Sequence, residues 1–99
     1  MHVVSYKAIR IFCEEHRDAK NALDRWYKVA RRATWANFVE VKQSFSTADF
    51  VPPYVVFDIG GNRYRLIAEI NLRRGVLLIR SILTHKDYLK GAWKACALR

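Results

Sequence analysis

The chain has 99 residues and a formal net charge of +9, with a pI of about 10.0. This length predicts one domain with one modest core, over residues 1–99, and a composition of 52% hydrophobic and 27% charged residues excludes a disordered chain. The apolar runs are far shorter than the ~20 residues that span a bilayer. The first residues also lack the apolar segment of a secretory signal, so we expect a cytoplasmic protein.

The basic charge is concentrated in the second half of the chain. Residues 1–50 contain 9 Lys+Arg and 6 Asp+Glu, a net charge of +3, whereas residues 51–99 contain 9 Lys+Arg and 3 Asp+Glu, a net charge of +6. This imbalance is typical of domains that bind a polyanion. The alternative is a basic surface that serves only solubility.

The two cysteines, Cys13 and Cys96, lie in segments with helical patterns. There is no Cys-x-x-Cys motif and no Cys/His spacing of the kind that holds zinc. We therefore expect two reduced cysteines packed as small apolar groups, with no disulfide, no metal and no cofactor.

Helices are predicted in the first half, after a possible short strand at Val3-Val4. Ser5 is the expected N-cap of a helix over residues 6–15, and a second helix is expected from about Asp18 to Arg32. Because few residues separate them, the two should form an antiparallel hairpin. A shorter helix should follow Asn37 and contain Phe38, Val41 and Lys42, and Pro52-Pro53 should close this helical half.

Strands are predicted in the second half, over residues 54–59, 63–70 and 76–83, with turns at Gly60-Gly61-Asn62 and residues 71–75. A last helix is expected from Asp87 to about Leu98. The predicted fold class is α+β, with an N-terminal helical hairpin packed on an antiparallel sheet and a short C-terminal helix. The expected core consists of Phe12, Leu23, Trp26, Phe57, Tyr64, Leu66, Ala68, Leu77 and Ile79.

Arginines should line one face of this sheet. A two-residue turn at Gly60-Gly61 places Asp58 opposite Arg63, whereas a turn at Gly61-Asn62 places Asp58 opposite Arg65. In both registers the three side chains share a face. An even-length loop around Leu72-Arg73 would keep Arg65 on the same face as Arg80 and Thr84, with Arg80 opposite or diagonal to Arg65.

Two neighbouring arginines on one face repel each other unless an anion or a carboxylate lies between them. Arginine suits a phosphate because its fork donates two hydrogen bonds and keeps its charge. The alternative is a surface ladder in which Asp58 and Glu69 pair with the arginines. Against it, Arg80 interrupts an apolar strand, where an unpaired charge is costly.

A polar cluster follows the last strand and contains Thr84, His85, Lys86 and Tyr88. The hydroxyl of Thr84 and the ammonium of Lys86 suit phosphate binding. An unperturbed imidazole has a pKa of roughly 6.5, so a histidine such as His85 could transfer protons near neutral pH. The Tyr88 phenol could stack on a base or transfer a proton. The alternatives are a structural or surface histidine and a tyrosine packed on the sheet.

Several segments, in this order, resemble the HigB-type toxins of bacterial toxin–antitoxin pairs, a branch of the RelE-like group. They cover roughly residues 3–88 and are Trp35-Ala36-Asn37-Phe38, Val41-Lys42, Phe45 to Asp49, Val55 to Ile67, Ile70-Asn71, Ile79-Arg80 and Thr84 to Tyr88. Asp58 departs from the pattern, which often has Asn there, and a carboxylate beside the arginines would weaken anion binding.

The resemblance implies a microbial-ribonuclease-like fold and mRNA cleavage on the translating ribosome, without a metal, by attack of the 2′-hydroxyl. It also implies neutralisation by a cognate helix-turn-helix antitoxin of the HigA type, with operator DNA bound only through that antitoxin. Carried onto this chain, Arg65 and Arg80 would hold phosphate, and His85 and Tyr88 would be the acid/base candidates, with either one in either role. Lys42, Asn62 and Arg63 would help to bind RNA.

Two other functions account for the same residues. A non-catalytic RNA- or ribosome-binding module would use the basic face without cutting RNA. A pure interaction protein would use it to bind an acidic partner and would have no affinity for RNA.

Overall fold

The computed structural model describes residues 1–93. In chain order the elements are β1 (His2–Val4), α1 (Tyr6–Glu15), α2 (Lys20–Arg32), α3 (Phe38–Ser44), β2 (Asp49–Val51), β3 (Tyr54–Ile59), β4 (Tyr64–Asn71), β5 (Val76–Thr84) and α4 (His85–Leu89). A single 3-10 turn over Arg17–Ala19 joins α1 to α2. The predicted α+β class, with a helical hairpin first and a short helix after the last strand, is confirmed.

The strands form one five-stranded sheet in the order β1-β5-β4-β3-β2. Its four strands from β2 to β5 are antiparallel, as expected, but β1 pairs with β5 in parallel, with Val3 opposite Leu77. The sequence did not predict β2, because only three residues precede the Pro52-Pro53 turn. This short edge strand brings Asp49 beside β3, which matters for the site.

The helices pack on one face of the sheet and bury its main core. In α2, Leu23, Trp26 and Ala30 are buried at the spacing of one helical face. They meet the inward residues of β3, β4 and β5, among them Phe57, Leu66 and Leu77. The predicted core is confirmed except for Phe12, which is only half-buried because it lies at the edge of this cluster.

The opposite face of the sheet carries a second apolar cluster. Tyr54, Val56 and Ile67 are buried there beneath Trp93, with Val51, Leu83 and Tyr88 at its edge. The C-terminal segment therefore covers part of the face on which the sequence placed the arginines. Strands β3 and β4 are buried on both faces, which explains their nearly continuous apolar sequence.

The C-terminal helix is shorter than predicted. Helix α4 ends at Leu89, and Gly91 follows with a φ of 72°, a left-handed conformation that glycine adopts without steric cost. The Gly91 N–H donates to the carbonyl of Tyr88 at 3.1 Å, which closes the helix. The rest of the predicted helix, residues 94–98, lies outside the described residues, as does Cys96.

Cys13, in α1, is half-buried and free. No helix within residues 1–93 has the length and apolar character that crossing a membrane requires.

Candidate active site

Arg65 is the charged residue that the sheet buries, with 7% of its surface exposed. Strand β4 pairs with β3 so that Asp58 lies directly opposite Arg65, which is the second of the two predicted registers. The Nε of Arg65 lies 2.9 Å from Oδ1 of Asp58. The buried guanidinium therefore has a carboxylate partner, as burial of a charge requires.

Two further acceptors hold the Arg65 guanidinium, one in the β3–β4 turn and one in the first residue of β4. Its Nη1 donates to the carbonyl of Tyr64 at 3.1 Å, and its Nη2 donates to Oδ1 of Asn62. Asn62 has a φ of 79°, and asparagine tolerates this left-handed conformation better than most residues. Asn62, predicted to bind RNA, thus has its side-chain oxygen directed at Arg65.

Tyr88 covers the guanidinium from the other side. The Cζ of Arg65 lies 5.2 Å from the centre of the Tyr88 ring, a cation–π distance. Trp93 stacks on Tyr88 with ring centres 5.3 Å apart, and its Nε1 donates to the Tyr88 carbonyl at 3.1 Å. Helix α4 and Trp93 thus hold the phenol ring beside the Arg65 guanidinium.

Arg65, Asp58 and Tyr88 line a small groove of about 280 Å³. Its lining consists of Lys42, Thr47, Ala48, Asp49, Val56, Asp58, Arg65 and Tyr88. The structure therefore brings together three predicted site residues, namely Lys42 from α3, Arg65 from β4 and Tyr88 from α4. Two cations and two carboxylates share the groove, so it suits a ligand with both anionic and hydrogen-bond-donating groups, such as a ribose phosphate.

Asp49 and Thr47 are groove residues that the sequence interpretation did not assign to the site. Asp49 lies opposite Val56 in the β2–β3 pair, and residues opposite each other share a face of the sheet. The available signal was the pair of strand-forming residues Phe50-Val51 directly after Asp49. It was too short to identify a strand without its partner.

Arg80 lies on the same face as Arg65 but is not its neighbour. Ala68 pairs with Ile79 and Ile67 pairs with Ser81, which leaves Arg80 as the extra residue of a β-bulge. The residue opposite Arg65 is consequently Leu83. The prediction that Arg80 lies opposite or diagonal to Arg65 is wrong. The Nε of Arg80, which is exposed, pairs with Oε1 of Glu69 at 2.8 Å.

The same bulge shifts Thr84 to the other face. Thr84 lies opposite Tyr64, whose side chain belongs to the helix-facing core, so the predicted shared face with Arg65 is wrong. Its hydroxyl instead accepts a hydrogen bond from the Asp87 N–H at 3.2 Å and caps α4. Lys86, in the first turn of α4, is exposed.

Arg63 is also directed away from the groove. It lies in the turn before β4, and its guanidinium pairs with Asp18 of the 3-10 turn in the helical layer. The prediction that Arg63 shares a face with Asp58 and Arg65 is therefore wrong. Arg63 is the last residue of a four-residue turn, and β4 begins only at Tyr64.

His85 begins α4 and does not line the groove. Its backbone N–H donates to the carbonyl of Arg63 at 3.0 Å. Its ring is half-buried, and Nδ1 is a buried polar atom without a hydrogen-bond partner among the described residues. Of the two predicted proton-transfer residues, Tyr88 lines the groove and His85 does not.

A carboxylate network anchors the turn that holds Arg65. Oδ1 of Asp18 accepts a hydrogen bond from the Tyr64 hydroxyl at 2.6 Å, and the carboxylate also pairs with Arg63. The hydrogen bond from Tyr64, together with the charge of Arg63, lowers the pKa of Asp18. The same hydrogen bond, with burial, raises the pKa of Tyr64. Within residues 1–93, no three His, Cys, Asp or Glu side chains cluster as metal ligands would.

The family model for HigB toxins, described as the RelE-like toxic component of a toxin–antitoxin system, matches residues 19–91. The chain is 25% identical over 91 residues to the mRNA interferase toxin HigB of Escherichia coli (strain K12), covering 89% of this chain and 88% of that protein. It is equally similar to the mRNA interferase HigB of Shigella flexneri, over the same shares of both chains. The family match spans α2, α3, the groove and α4, so the chain belongs to the HigB toxin family of toxin–antitoxin systems.

Proposed function

We propose that this toxin is an mRNA endoribonuclease whose active site is the groove around Arg65. The observation that carries the proposal is the buried guanidinium of Arg65, fixed by three acceptors and facing a groove that also contains Lys42 and Tyr88. The relatives named as mRNA interferases match most of this chain, which supports mRNA as the substrate.

Arg65 and Lys42 would hold the scissile phosphate. Its non-bridging oxygens gain negative charge as the phosphorus becomes five-coordinate, and a guanidinium already in place stabilises that state more than the ground state. Because Asp58, Asn62 and the Tyr64 carbonyl occupy three donors of Arg65, the guanidinium keeps its orientation while the remaining donors face the ligand.

The groove offers groups for both proton transfers of 2′-hydroxyl attack. In this reaction a base removes the 2′ proton, the 2′-oxygen bonds to phosphorus, and the bond to the 5′-oxygen breaks as an acid supplies its proton. The products are a 2′,3′-cyclic phosphate and a free 5′-hydroxyl. We assign the acid role to Tyr88 and the base role to Asp49, whose exposed carboxylate lines the groove. His85 and Arg80 stay sequence-based candidates.

The partners of this toxin follow from its family. A toxin–antitoxin pair includes an antitoxin, and a helix-turn-helix antitoxin of the HigA type is the proposed partner, with operator DNA bound through it. The proposed place of action is the cytoplasm, on mRNA held by the ribosome, and the excess of basic residues supports binding to such a polyanion.

The test is cleavage of mRNA in a translation extract, mapped by primer extension. Added protein should produce discrete cuts, and Arg65→Gln should abolish them while Arg10→Gln, an exposed cation of α1, leaves them unchanged. Intact mRNA at stoichiometric protein would contradict the proposal. If the protein still binds the ribosome or RNA under those conditions, the non-catalytic binding module becomes the better description.

A further inference from the structure

A second and larger groove lies at the other end of the molecule. It has a volume of about 840 Å³ and is enclosed by β1, the end of α2 and the β4–β5 turn. Its cationic side chains are Arg31, Arg73 and Arg74, with His2 at the edge and Tyr27 among the apolar lining. None of these residues takes part in the site around Arg65.

The charge of this groove is unbalanced. Arg31, Arg73 and Arg74 are exposed, and none pairs with a carboxylate within residues 1–93. Among the described residues, no Asp or Glu lines the groove. The neighbouring carboxylate of Glu69 pairs with Arg80, and Glu40 accepts a hydrogen bond from the Ala36 N–H. Three guanidinium groups around one concavity therefore present a positive potential to an incoming ligand.

The two grooves are too far apart to hold the same short piece of RNA. Arg65 lies near the start of β4, whereas Arg73 and Arg74 follow its end at Asn71. The extended strand runs six residues further from Arg65 to Asn71, which is roughly 20 Å at a rise of about 3.3 Å per residue. A ligand that occupies both grooves must therefore be much larger than the nucleotides at the cleaved bond.

We propose that the groove of Arg31, Arg73 and Arg74 is a second RNA-binding site, which takes backbone phosphates of a folded RNA segment separate from the strand in the Arg65 groove. Guanidinium forks match phosphate oxygens in pairs, and exposed arginines on a turn can adjust to a backbone without reading its bases. The proposal rests on the proposed function for RNA as the ligand, and its test does not depend on cleavage.

The experiment measures the affinity for an RNA hairpin over a range of salt concentrations, in an Arg65→Gln background that keeps the RNA intact. Each phosphate contact contributes about 0.7 to 0.9 to the slope of log K against log salt. The double variant Arg73→Gln/Arg74→Gln should therefore lower the slope by about 1.4 to 1.8. The control, Lys7→Gln/Arg10→Gln, removes two exposed charges of α1 and should lower it much less.

The second part of the experiment measures the binding of a trinucleotide, because it is too short to reach both grooves. In the protein with Arg65 intact, its binding should be the same with and without the Arg73 and Arg74 substitutions. Equal losses for the hairpin in the test and control variants would overturn the proposal, since they would indicate a general charge effect. A loss of trinucleotide binding as large as the loss of hairpin binding would overturn it too, since the two grooves would then not hold separate RNA segments. Absence of mRNA cuts, by contrast, would refute only the proposed function.

Discussion

The side-chain oxygen of Asn62 accepts a hydrogen bond from Nη2 of Arg65, three residues along the chain. This contact joins a left-handed turn residue to the buried arginine of the groove. Together with Asp58 at Nε, it fixes the plane of the guanidinium from two directions. The β3–β4 turn therefore contributes to the proposed active site by fixing the orientation of the Arg65 guanidinium.

Replacement of Asn62 by glycine should slow cleavage without unfolding the protein. Glycine keeps the positive φ but removes the acceptor, and a hydrogen bond to a charged group contributes about 1.5–3 kcal/mol. A loss of this size in the transition state corresponds to at least about a tenfold lower rate. Cleavage rates in a translation extract, with a thermal melt as the control for folding, check this. An unchanged rate would show that Asp58 alone is sufficient to orient Arg65.

Replacement of Asp58 by asparagine should have opposite effects on binding and stability. The amide can still accept from Arg65, but it removes the negative charge that opposes an RNA phosphate. We expect RNA affinity at low salt to rise several-fold and the free energy of unfolding to fall by about 1–2 kcal/mol, since the pair is partly buried. Anisotropy titrations and urea unfolding measure the two quantities. Weaker RNA binding would mean that Asp58 is needed as a ligand contact.

Arg65 and Arg80 should differ sharply in their effect on cleavage. Arg65→Gln removes a fixed donor from the groove, which costs about 10²–10³ in rate for comparable transition-state donors. Arg80→Gln removes a side chain that pairs with Glu69 at the surface and does not line the groove, so we expect less than a tenfold loss. Cleavage rates of both variants, measured by primer extension, test this difference. Equal losses would restore Arg80 as a phosphate-binding residue.

The sequence predicted the Asp58–Arg65 pair because a hairpin turn fixes which residues face each other, and one of the two permitted registers is observed. It could not predict the bulge at Arg80, because an extra residue in a strand leaves no mark in an apolar pattern. Because of that bulge, Thr84 lies on the face of the sheet opposite to Arg65, and Arg80 is not a neighbour of Arg65. Asp49 was missed for a related reason, since a three-residue edge strand is defined by its partner rather than by its own sequence.

Stability at acid pH should depend on the contact between Asp18 and Tyr64. The hydrogen bond from the Tyr64 hydroxyl lowers the pKa of Asp18 below its ordinary value of about 3.9. A carboxyl whose pKa is lower in the folded state contributes stability above its unfolded pKa, and this contribution is lost as the pH falls through the folded pKa. Asp18→Asn should therefore be less stable than the unsubstituted protein at pH 7, and the difference should shrink at about pH 3 and below.

Urea unfolding of both proteins across this pH range measures the difference directly. Glu14→Gln, which neutralises an exposed carboxylate of α1 outside this network, is the matched control and should change little over the same range. Because the Asp18 network anchors the turn that contains Asn62, Asp18→Asn should also lower the cleavage rate at pH 7. A stability difference that stays constant from pH 7 to pH 2 would contradict the assigned ionisation. A normal cleavage rate in a destabilised Asp18→Asn protein would confine the role of Asp18 to folding.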